Sequence, residues 1–236
     1  PTRLREALTH SRNLVSIRLL RDIGIAYTVD YVKRFGFKPD QVPPNLSIAL
    51  GSGNAAPLDM ARAYATLANG GHLVDPYVIS RVENTAGEIL MQTKPQKVCD
   101  SCAVPNEDIT EEEALMQAEL LGFYPAKQVI TPQNAYIINS MLRDVVKFGT
   151  GRQALSLNRN DLAGKTGTTN DQLDAWFNGY NPDLVAIGWV GFDNPRTLGR
   201  YETGGRAALP MWIDFMRIAL EDQPEHAFEQ PVDMVT

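Results

Sequence analysis

Apolar residues at helical spacing predict two short helices at the start of the chain, separated by a break at residues 10–13. The second of these helices ends before Gly24. Thr28 is predicted to cap another short helix, which ends at Gly36. An alanine-rich stretch at residues 58–68 predicts a longer helix, with a proline in its first turn. The first third of the chain is therefore predicted to be mainly helical.

Strand-like runs dominate the second half of the chain, where glycine and asparagine mark the turns between them. The predicted elements are a hairpin at 78–82 and 88–92, a helix at 131–149, strands at 163–169, 175–180 and 185–192, and a closing helix at 209–220. Helices first, antiparallel strands late and a helix last predict an α+β fold, in which a mainly antiparallel sheet packs between helices. The length predicts one or two domains.

The composition is typical of a packed globular chain: 236 residues, 44% hydrophobic and 21% charged. The longest nearly unbroken apolar run, at 185–192, is far shorter than the ~20 residues of a membrane-spanning helix. The net charge is 22 − 28 = −6, which argues against binding to a nucleic-acid backbone. Neither a nucleic-acid partner nor a membrane span is therefore predicted from these residues.

An acidic stretch interrupts the predicted elements, with seven carboxylates and no Lys or Arg at residues 100–120. We interpret residues 99–121 as a solvated surface insertion, with a docking site for a basic partner as the alternative. Cys99 and Cys102 flank its start, and the three histidines lie far away in sequence. A zinc site needs about four ligands, so a small surface disulfide or two idle thiols is predicted, without metal or cofactor.

The segment from Gly51 to Ala56 matches the G-x-G-x-x-A pattern of dinucleotide-binding folds and follows the apolar run Leu46–Leu50. Asp75 lies at about the spacing of a ribose-binding acid. Such a fold needs further strand–helix–strand units, however, and a hairpin is predicted next. The glycines are therefore interpreted as a tight turn before a helix, and a nucleotide-binding module remains a distant alternative.

Lys165-Thr166-Gly167-Thr168 lies inside a strand-like run. Alternation along a strand predicts that Lys165 points away from the side of Thr166 and Thr168. The glycine leaves room for a substrate backbone, and hydroxyl groups with a nearby ammonium suit a carboxylate. A backbone N–H of such a strand can also point at a developing oxyanion.

Ser11-Arg12-Asn13 is a polar triplet at the predicted helix break. Taken alone, Ser11 is readily interpreted as a helix cap, because serine is favoured at that position. Together with the lysine–threonine–glycine triplet it indicates one shared site. We therefore expect Ser11, Asn13, Lys165 and Thr168 to converge on one cleft at a sheet edge.

The order S-x-N then K-T-G resembles the penicillin-recognising serine transferases and hydrolases. Longer segments, at 11–20, 49–53, 57–71, 163–170 and 174–180, look like a class A penicillin-binding protein of the 1A type of Gram-negative bacteria. The resemblance covers nearly the whole chain except the acidic stretch, and it implies that residues 1–236 are the C-terminal portion of one penicillin-binding transpeptidase domain. It implies a fold like that of the serine β-lactamases and D,D-transpeptidases, and a peptidoglycan D,D-transpeptidase within a bifunctional glycosyltransferase/transpeptidase.

The resemblance also implies roles for single residues. Ser11 would relay protons with help from the charge of Lys165, and Asn13 would bind the substrate amide. The Thr168 N–H would contribute to the oxyanion hole. The implied substrate-binding stretch consists of Thr166, Gly167, Thr168 and Thr169. The implied ligands are D-Ala-D-Ala stem peptides and β-lactams.

The chain departs from the family pattern because no serine has a lysine three residues later, so the S-x-x-K nucleophile motif is absent. We expect a preceding segment of the same protein to supply it, and we expect the chain alone to be inert and not to fold. The implied location is the periplasmic face of the bacterial inner membrane, with the anchor outside this chain. A D,D-carboxypeptidase, a β-lactamase or a β-lactam sensor remains an alternative.

Overall fold

The structure is a computed structural model that describes residues 2–99, 102 and 110–234. Its helices are α1 Leu4–Thr9, α2 Asn13–Ile23, α3 Ile25–Val32, α4 Pro57–Ala68, α5 Glu111–Leu121, α6 Pro132–Phe148 and α7 Leu209–Ala219. Its strands are β1 His72–Leu73, β2 Arg81–Glu83, β3 Ile89–Gln92, β4 Gln96–Lys97, β5 Tyr124–Pro125, β6 Lys127–Gln128, β7 Ala163–Thr168, β8 Asp174–Tyr180 and β9 Val185–Gly191. No helix of the described ranges is long and apolar enough to cross a bilayer.

The main sheet has three antiparallel strands in the order β7-β8-β9, so β7 lies at one edge. Its register pairs Ala163 with Tyr180, and Thr168 with Ala175. Strands β1 and β6, and strands β2 and β3, form further antiparallel pairs, whereas β4 and β5 are parallel. The mainly antiparallel α+β fold is thus confirmed, with one parallel pair that the sequence did not predict.

Helices cover both faces of the main sheet. On one face, Phe177 of β8 packs edge-on against Trp212 of α7, with ring centroids 4.9 Å apart. On the other face, Tyr180 is fully buried and packs against Tyr64 of α4, with ring centroids 5.9 Å apart. Side chains of one strand alternate between the faces, so neighbouring residues of β8 belong to two different cores. The sheet therefore lies between helices, as predicted.

One local prediction was wrong. Thr28 does not cap a helix, because α3 already begins at Ile25 and the Thr28 hydroxyl donates to the carbonyl of Gly24 at 2.9 Å. Gly24 has a φ of 97°, which lets α2 end and α3 begin with no linker between them. The apolar run Leu46–Leu50 is a 3₁₀ helix rather than a strand. The strand that a dinucleotide-binding turn requires is therefore absent before Gly51.

The end of the acidic stretch is helical, which the sequence analysis did not predict. Thr110 caps α5 by accepting from the N–H of Glu113, and the Glu113 carboxylate accepts from the N–H of Thr110 in return. Ala118 is fully buried and Glu119 pairs with Lys94 at 2.9 Å. Residues 100–101 and 103–109 lie outside the described residues. Cys99 and Cys102 form a disulfide, which confirms the first of the two interpretations of these cysteines.

The docking of α1 on the end of α6 sets the position of the chain that follows α1. The Arg5 guanidinium lies 2.8 Å from the carboxylate of Asp144, and the N–H of Thr150 donates to the carbonyl of Thr9 at 3.4 Å. Gly149 makes the close approach possible, because a Cβ there would lie 2.1 Å from the Thr9 carbonyl oxygen. Residues 10–13 therefore depend on a contact that tolerates no side chain at position 149.

Gly149→Ala should lower the free energy of unfolding by about 1–3 kcal/mol, because the added methyl group overpacks this contact. Its φ of −112° is ordinary, so the loss reports sterics rather than backbone strain. Gly205→Ala is the matched control, since a Cβ there meets nothing closer than 3.4 Å. Chemical denaturation of both variants, made in protein that includes the preceding segment, gives the comparison. Equal stability of the two would show that α1 is not held by this contact.

Candidate active site

Ser11 lies in the tight turn that ends α1. Its N–H donates to the carbonyl of Leu8 at 3.2 Å, and the N–H of Arg12 donates to that of Ala7 at 2.8 Å. These two bonds, with Ser11 at a left-handed φ of 52°, form a Schellman motif. Serine replaces the usual glycine here, which costs about 1–2 kcal/mol of backbone strain. The turn places the Ser11 side chain at the break between helices, and the capping interpretation is wrong, because α2 has no side-chain cap.

Lys165 brings the two predicted motifs together. Its ammonium donates to the Ser11 hydroxyl at 3.0 Å, across 154 positions of sequence, and to the carbonyl of Thr166 at 2.9 Å. The second acceptor explains how a lysine inside a strand reaches the sheet edge: its side chain leans along the strand to the next carbonyl. The predicted convergence of Ser11 and Lys165 is confirmed.

The two threonines of the motif face the other side of β7. The Thr166 hydroxyl lies 2.6 Å from the hydroxyl of Thr150, which follows α6. The Thr168 hydroxyl accepts from the N–H of Gly204 at 3.0 Å. Gly204 begins a π-helical turn, Gly204–Ala208, that packs on the strand so closely that a Cβ would lie 2.4 Å from the Gly167 carbonyl oxygen. The predicted alternation of Lys165 against both threonines is confirmed.

The outer edge of β7 offers backbone groups as well as side chains. The N–H of Thr169 donates to the carbonyl of Asp174 at 3.1 Å. This bond shows which N–H groups of β7 point toward β8. Because alternate residues of an antiparallel strand bond to the same neighbour, the N–H groups of Thr166 and Thr168 point to the opposite side. No described strand lies on that side of β7. An extended ligand can therefore pair with this edge beside Ser11.

Burial lowers the pKa of Lys165 to about 8. Its cross-strand partner is Asn178, a buried residue whose side-chain oxygen has no hydrogen-bond partner within the described part of the chain. Tyr64 is half-buried beside Asn178, and burial of its hydroxyl raises its pKa to about 12 although Asn178 donates a hydrogen bond to it. The ammonium thus sits between an open strand edge and a low-dielectric interior.

The other predicted residues are placed less decisively. Asn13 is the exposed first residue of α2, two positions after Ser11. The Thr169 hydroxyl accepts from the N–H of Asp174 at 2.7 Å and closes a turn at the end of β7. Gly167 lies against Trp176, where a Cβ would approach to 3.1 Å. Substrate binding by Asn13, Gly167 and Thr169 stays a prediction, and the structure already uses the Thr169 hydroxyl elsewhere.

Comparison with known families decides what this arrangement belongs to. The profile described as "Penicillin binding protein transpeptidase domain" matches residues 1–208, from α1 through the turn that donates to Thr168. The chain belongs to this family. The match includes both motifs and ends where α7 begins, so α7 and the residues after it lie beyond the family profile.

Individual members of the penicillin-binding transpeptidase family are similar over the whole chain. Penicillin-binding protein 1A of Pseudomonas aeruginosa is 46% identical over 257 aligned positions, which cover 100% of the chain and 31% of that protein. Penicillin-binding protein 1A of Neisseria gonorrhoeae is 42% identical over 233 positions, covering 99% of the chain and 26% of that protein. The chain thus spans about a third or less of the length of these curated relatives.

Solved structures of the family agree with the fold. The crystal structure of penicillin-binding protein 1A from Haemophilus influenzae superposes with a TM-score of 0.88 at 35% identity, covering 100% of this chain and 37% of that one. PonA1 of Mycobacterium tuberculosis, at 24% identity and a TM-score of 0.73, shares the fold over 98% of this chain and 59% of that one. The predicted resemblance to class A penicillin-binding proteins of the 1A type is confirmed.

Thr150 and Gly204 are the site residues that the sequence analysis missed. Each follows an element that was predicted, or lies just before one, but neither belongs to a motif that was weighed. The signal available was the pairing of threonine with glycine, in Gly149-Thr150-Gly151 and Thr203-Gly204-Gly205. Both segments approach β7 from the face of the two motif threonines, and only the three-dimensional structure shows this.

The low pKa of Lys165 predicts that its charge is lost near pH 8. Burial disfavours the ammonium form, so the side chain is mostly charged at pH 7 and mostly neutral at pH 9. In protein with ¹³C-labelled lysine, the Lys165 signal, assigned by its disappearance in Lys165→Arg, should titrate with a midpoint near pH 8. A Lys165 midpoint at the ordinary lysine value of about 10.4 would contradict the prediction.

Proposed function

We propose that this chain is the part of a class A penicillin-binding protein that completes the D,D-transpeptidase site opposite the nucleophile. The reaction is covalent acyl transfer from a D-Ala-D-Ala stem peptide, through a serine ester, to the amine of a neighbouring stem. The observation that carries the proposal is the 3.0 Å hydrogen bond from Lys165 to Ser11, at the open edge of β7. This bond joins the Ser11 hydroxyl, which can transfer a proton, to the Lys165 ammonium, beside the outward N–H groups of β7.

Each side of the site has a task in this reaction. The Ser11 hydroxyl passes a proton to the departing amine and later takes one from the attacking amine, while Lys165 stabilises negative charge on the hydroxyl oxygen. The outward N–H of Thr168 donates to the developing oxyanion. The Thr166 and Thr168 hydroxyls, held by Thr150 and Gly204, bind the terminal carboxylate of the stem peptide.

The nucleophile and its base are proposed to come from an S-x-x-K segment outside these 236 residues, because no serine of the chain has a lysine three positions on. The longer protein would then carry the remaining domains of its 1A-type relatives and lie at the periplasmic face of the inner membrane. β-Lactams, which mimic the D-Ala-D-Ala end, would acylate the same serine. Residues 99–121 are proposed to be an insertion that takes no part in the site.

Ser11→Gly in that longer protein should lower acylation by fluorescent penicillin about 10²–10³-fold, since the proton relay is lost. Glycine suits the left-handed φ of 52°, so the turn itself is preserved or stabilised. Ser156→Ala, an exposed serine elsewhere in the chain, is the matched control and should label normally. Labelling at the wild-type rate in Ser11→Gly would remove Ser11 from the mechanism.

Lys165→Ala should lower acylation by penicillin and by stem peptide alike, because both ligands present a carboxylate and develop negative charge. Lys165→Arg should retain part of the rate, since the charge is kept but the shape differs. Lys127→Ala is the control for loss of a lysine at an exposed position. Gel-based labelling and product analysis give the rates. Full activity of Lys165→Ala would exclude the proposed electrostatic role.

Acceptor choice separates crosslinking from hydrolysis. A transpeptidase should form dimeric stem peptides when an acceptor amine is present, whereas a D,D-carboxypeptidase or β-lactamase passes the acyl group to water. Mass spectrometry of products with and without an acceptor stem makes the distinction. A product set that ignores the acceptor would assign the chain to the hydrolytic alternative.

Replacing the seven carboxylates between residues 100 and 120 with their amides should leave penicillin acylation within about twofold of wild type. The described part of this stretch forms its own capped helix and pairs with Lys94, away from the motif residues. A large fall in acylation, with an unchanged melting temperature, would show that the insertion contributes charge to the site.

A further inference from the structure

A second polar cluster, remote from Ser11, surrounds Asp161 just before β7. Asp161 accepts two bonds from the Arg159 guanidinium, at 2.9 and 2.6 Å, and one from the Asn181 amide at 3.1 Å. The side chains of Arg159 and Asp161 are only 10% and 2% exposed. Although burial raises the pKa of Asp161, the hydrogen bonds from Arg159 and Asn181 hold it below the ordinary value. The Asp161 carboxylate is therefore charged although it is nearly buried.

The residues after α7 bind to Arg159 and Asp161. The Arg159 guanidinium donates to the carbonyls of Gln223 and Pro224 at 2.8 and 2.9 Å, and the N–H of His226 donates to Asp161 at 3.4 Å. Next to it, the Glu225 carboxylate accepts from the N–H of Asn160 at 3.0 Å. Residues 221–228 thus form a strap that is bound mainly through its backbone.

Two further contacts tie the strap to the main sheet. The His226 ring lies 2.8 Å from the carboxylate of Asp183, in the turn between β8 and β9. The Phe228 ring packs edge-on against Tyr180 of β8, with centroids 5.9 Å apart. Tyr180 is the register partner of Ala163, the first residue of β7. The strap therefore contacts both the approach to β7 and the strand that pairs with it.

We propose that the strap 221–228, held by Arg159 and Asp161, positions β7 and thereby the site at its far end. Lys165 lies four residues after Asp161 on a strand whose outer edge has no described neighbour. β7 pairs with a single strand and packs on α6, and the strap adds a restraint where β7 begins, through Asp161 and Tyr180. The profile match ends at residue 208, whereas the 1A-type relatives align over the whole chain, the strap included.

The inference rests on the proposed function, and its test uses the longer protein proposed above. Arg159→Ala, Asp161→Asn and His226→Pro remove, in turn, the guanidinium, the charge and the tail N–H. Arg217→Ala and Asp214→Asn break an exposed ion pair of α7 with the same kinds of group, 2.7 Å apart, and are the matched controls. Three readouts apply: cleavage after Phe228 by chymotrypsin, hydrogen exchange of the β7 amides, and the second-order rate of penicillin acylation.

The three strap variants should be cleaved faster after Phe228, exchange faster in β7, and acylate on the order of 10–100-fold more slowly, since small misplacements of reacting groups are costly. The controls should match wild type in all three. A strap that stays protected, or one that is freed without change in β7 exchange and acylation, overturns the inference. If the core variants fail to fold, His226→Pro decides, since it alters the tail alone. Absence of acylation in the wild type would instead refute the proposed function, and β7 exchange would still test the strap.

Discussion

The hydrogen bond between Lys165 and Ser11 is the interaction on which the site depends, and most of the surrounding structure fixes the positions of these two residues. Ser11 is fixed by the Schellman turn of α1, and α1 is fixed by its docking on the end of α6 beside Gly149. Lys165 is fixed by β7, which lies against the same helix α6. A serine in a left-handed conformation is strained, so this turn persists only because its surroundings determine it.

Strand alternation explains why one short motif can serve two purposes. The Lys165 side chain extends from the face of β7 that α4 and α6 cover. The Thr166 and Thr168 side chains extend from the opposite face, toward Thr150 and Gly204. The backbone between them presents its free donors at the edge. Cation, hydroxyls and N–H groups therefore surround a single edge without competing for the same space, and glycine at 204 allows the turn Gly204–Ala208 to pack against β7 at Gly167.

The sequence was sufficient for α4, α6 and α7, which each bury one face, and for the three main strands, which are separated by recognisable turn residues. It failed where the local residues allow more than one structure. Thr28 has the composition of a cap but donates back to Gly24, and α5 mixes acidic and apolar residues around its circumference. The site was found through two motifs, yet Thr150 and Gly204 could not be, since nothing local marks which face of β7 they approach.

Burial of Lys165 affects both the charge of its ammonium and the ease with which it releases a proton. A pKa near 8 leaves the ammonium charged at neutral pH but makes its proton easier to release than that of a solvated lysine. Deeper burial would remove the positive charge of Lys165. Full exposure to water would make its proton harder to release and would weaken the electrostatic attraction that its ammonium exerts. The open edge of β7 keeps Lys165 between these limits, because one side of its side chain meets Asn178 and the interior while its ammonium reaches Ser11 at the open edge. The position of β7 relative to its neighbours therefore sets the electrostatics of the site as well as its geometry.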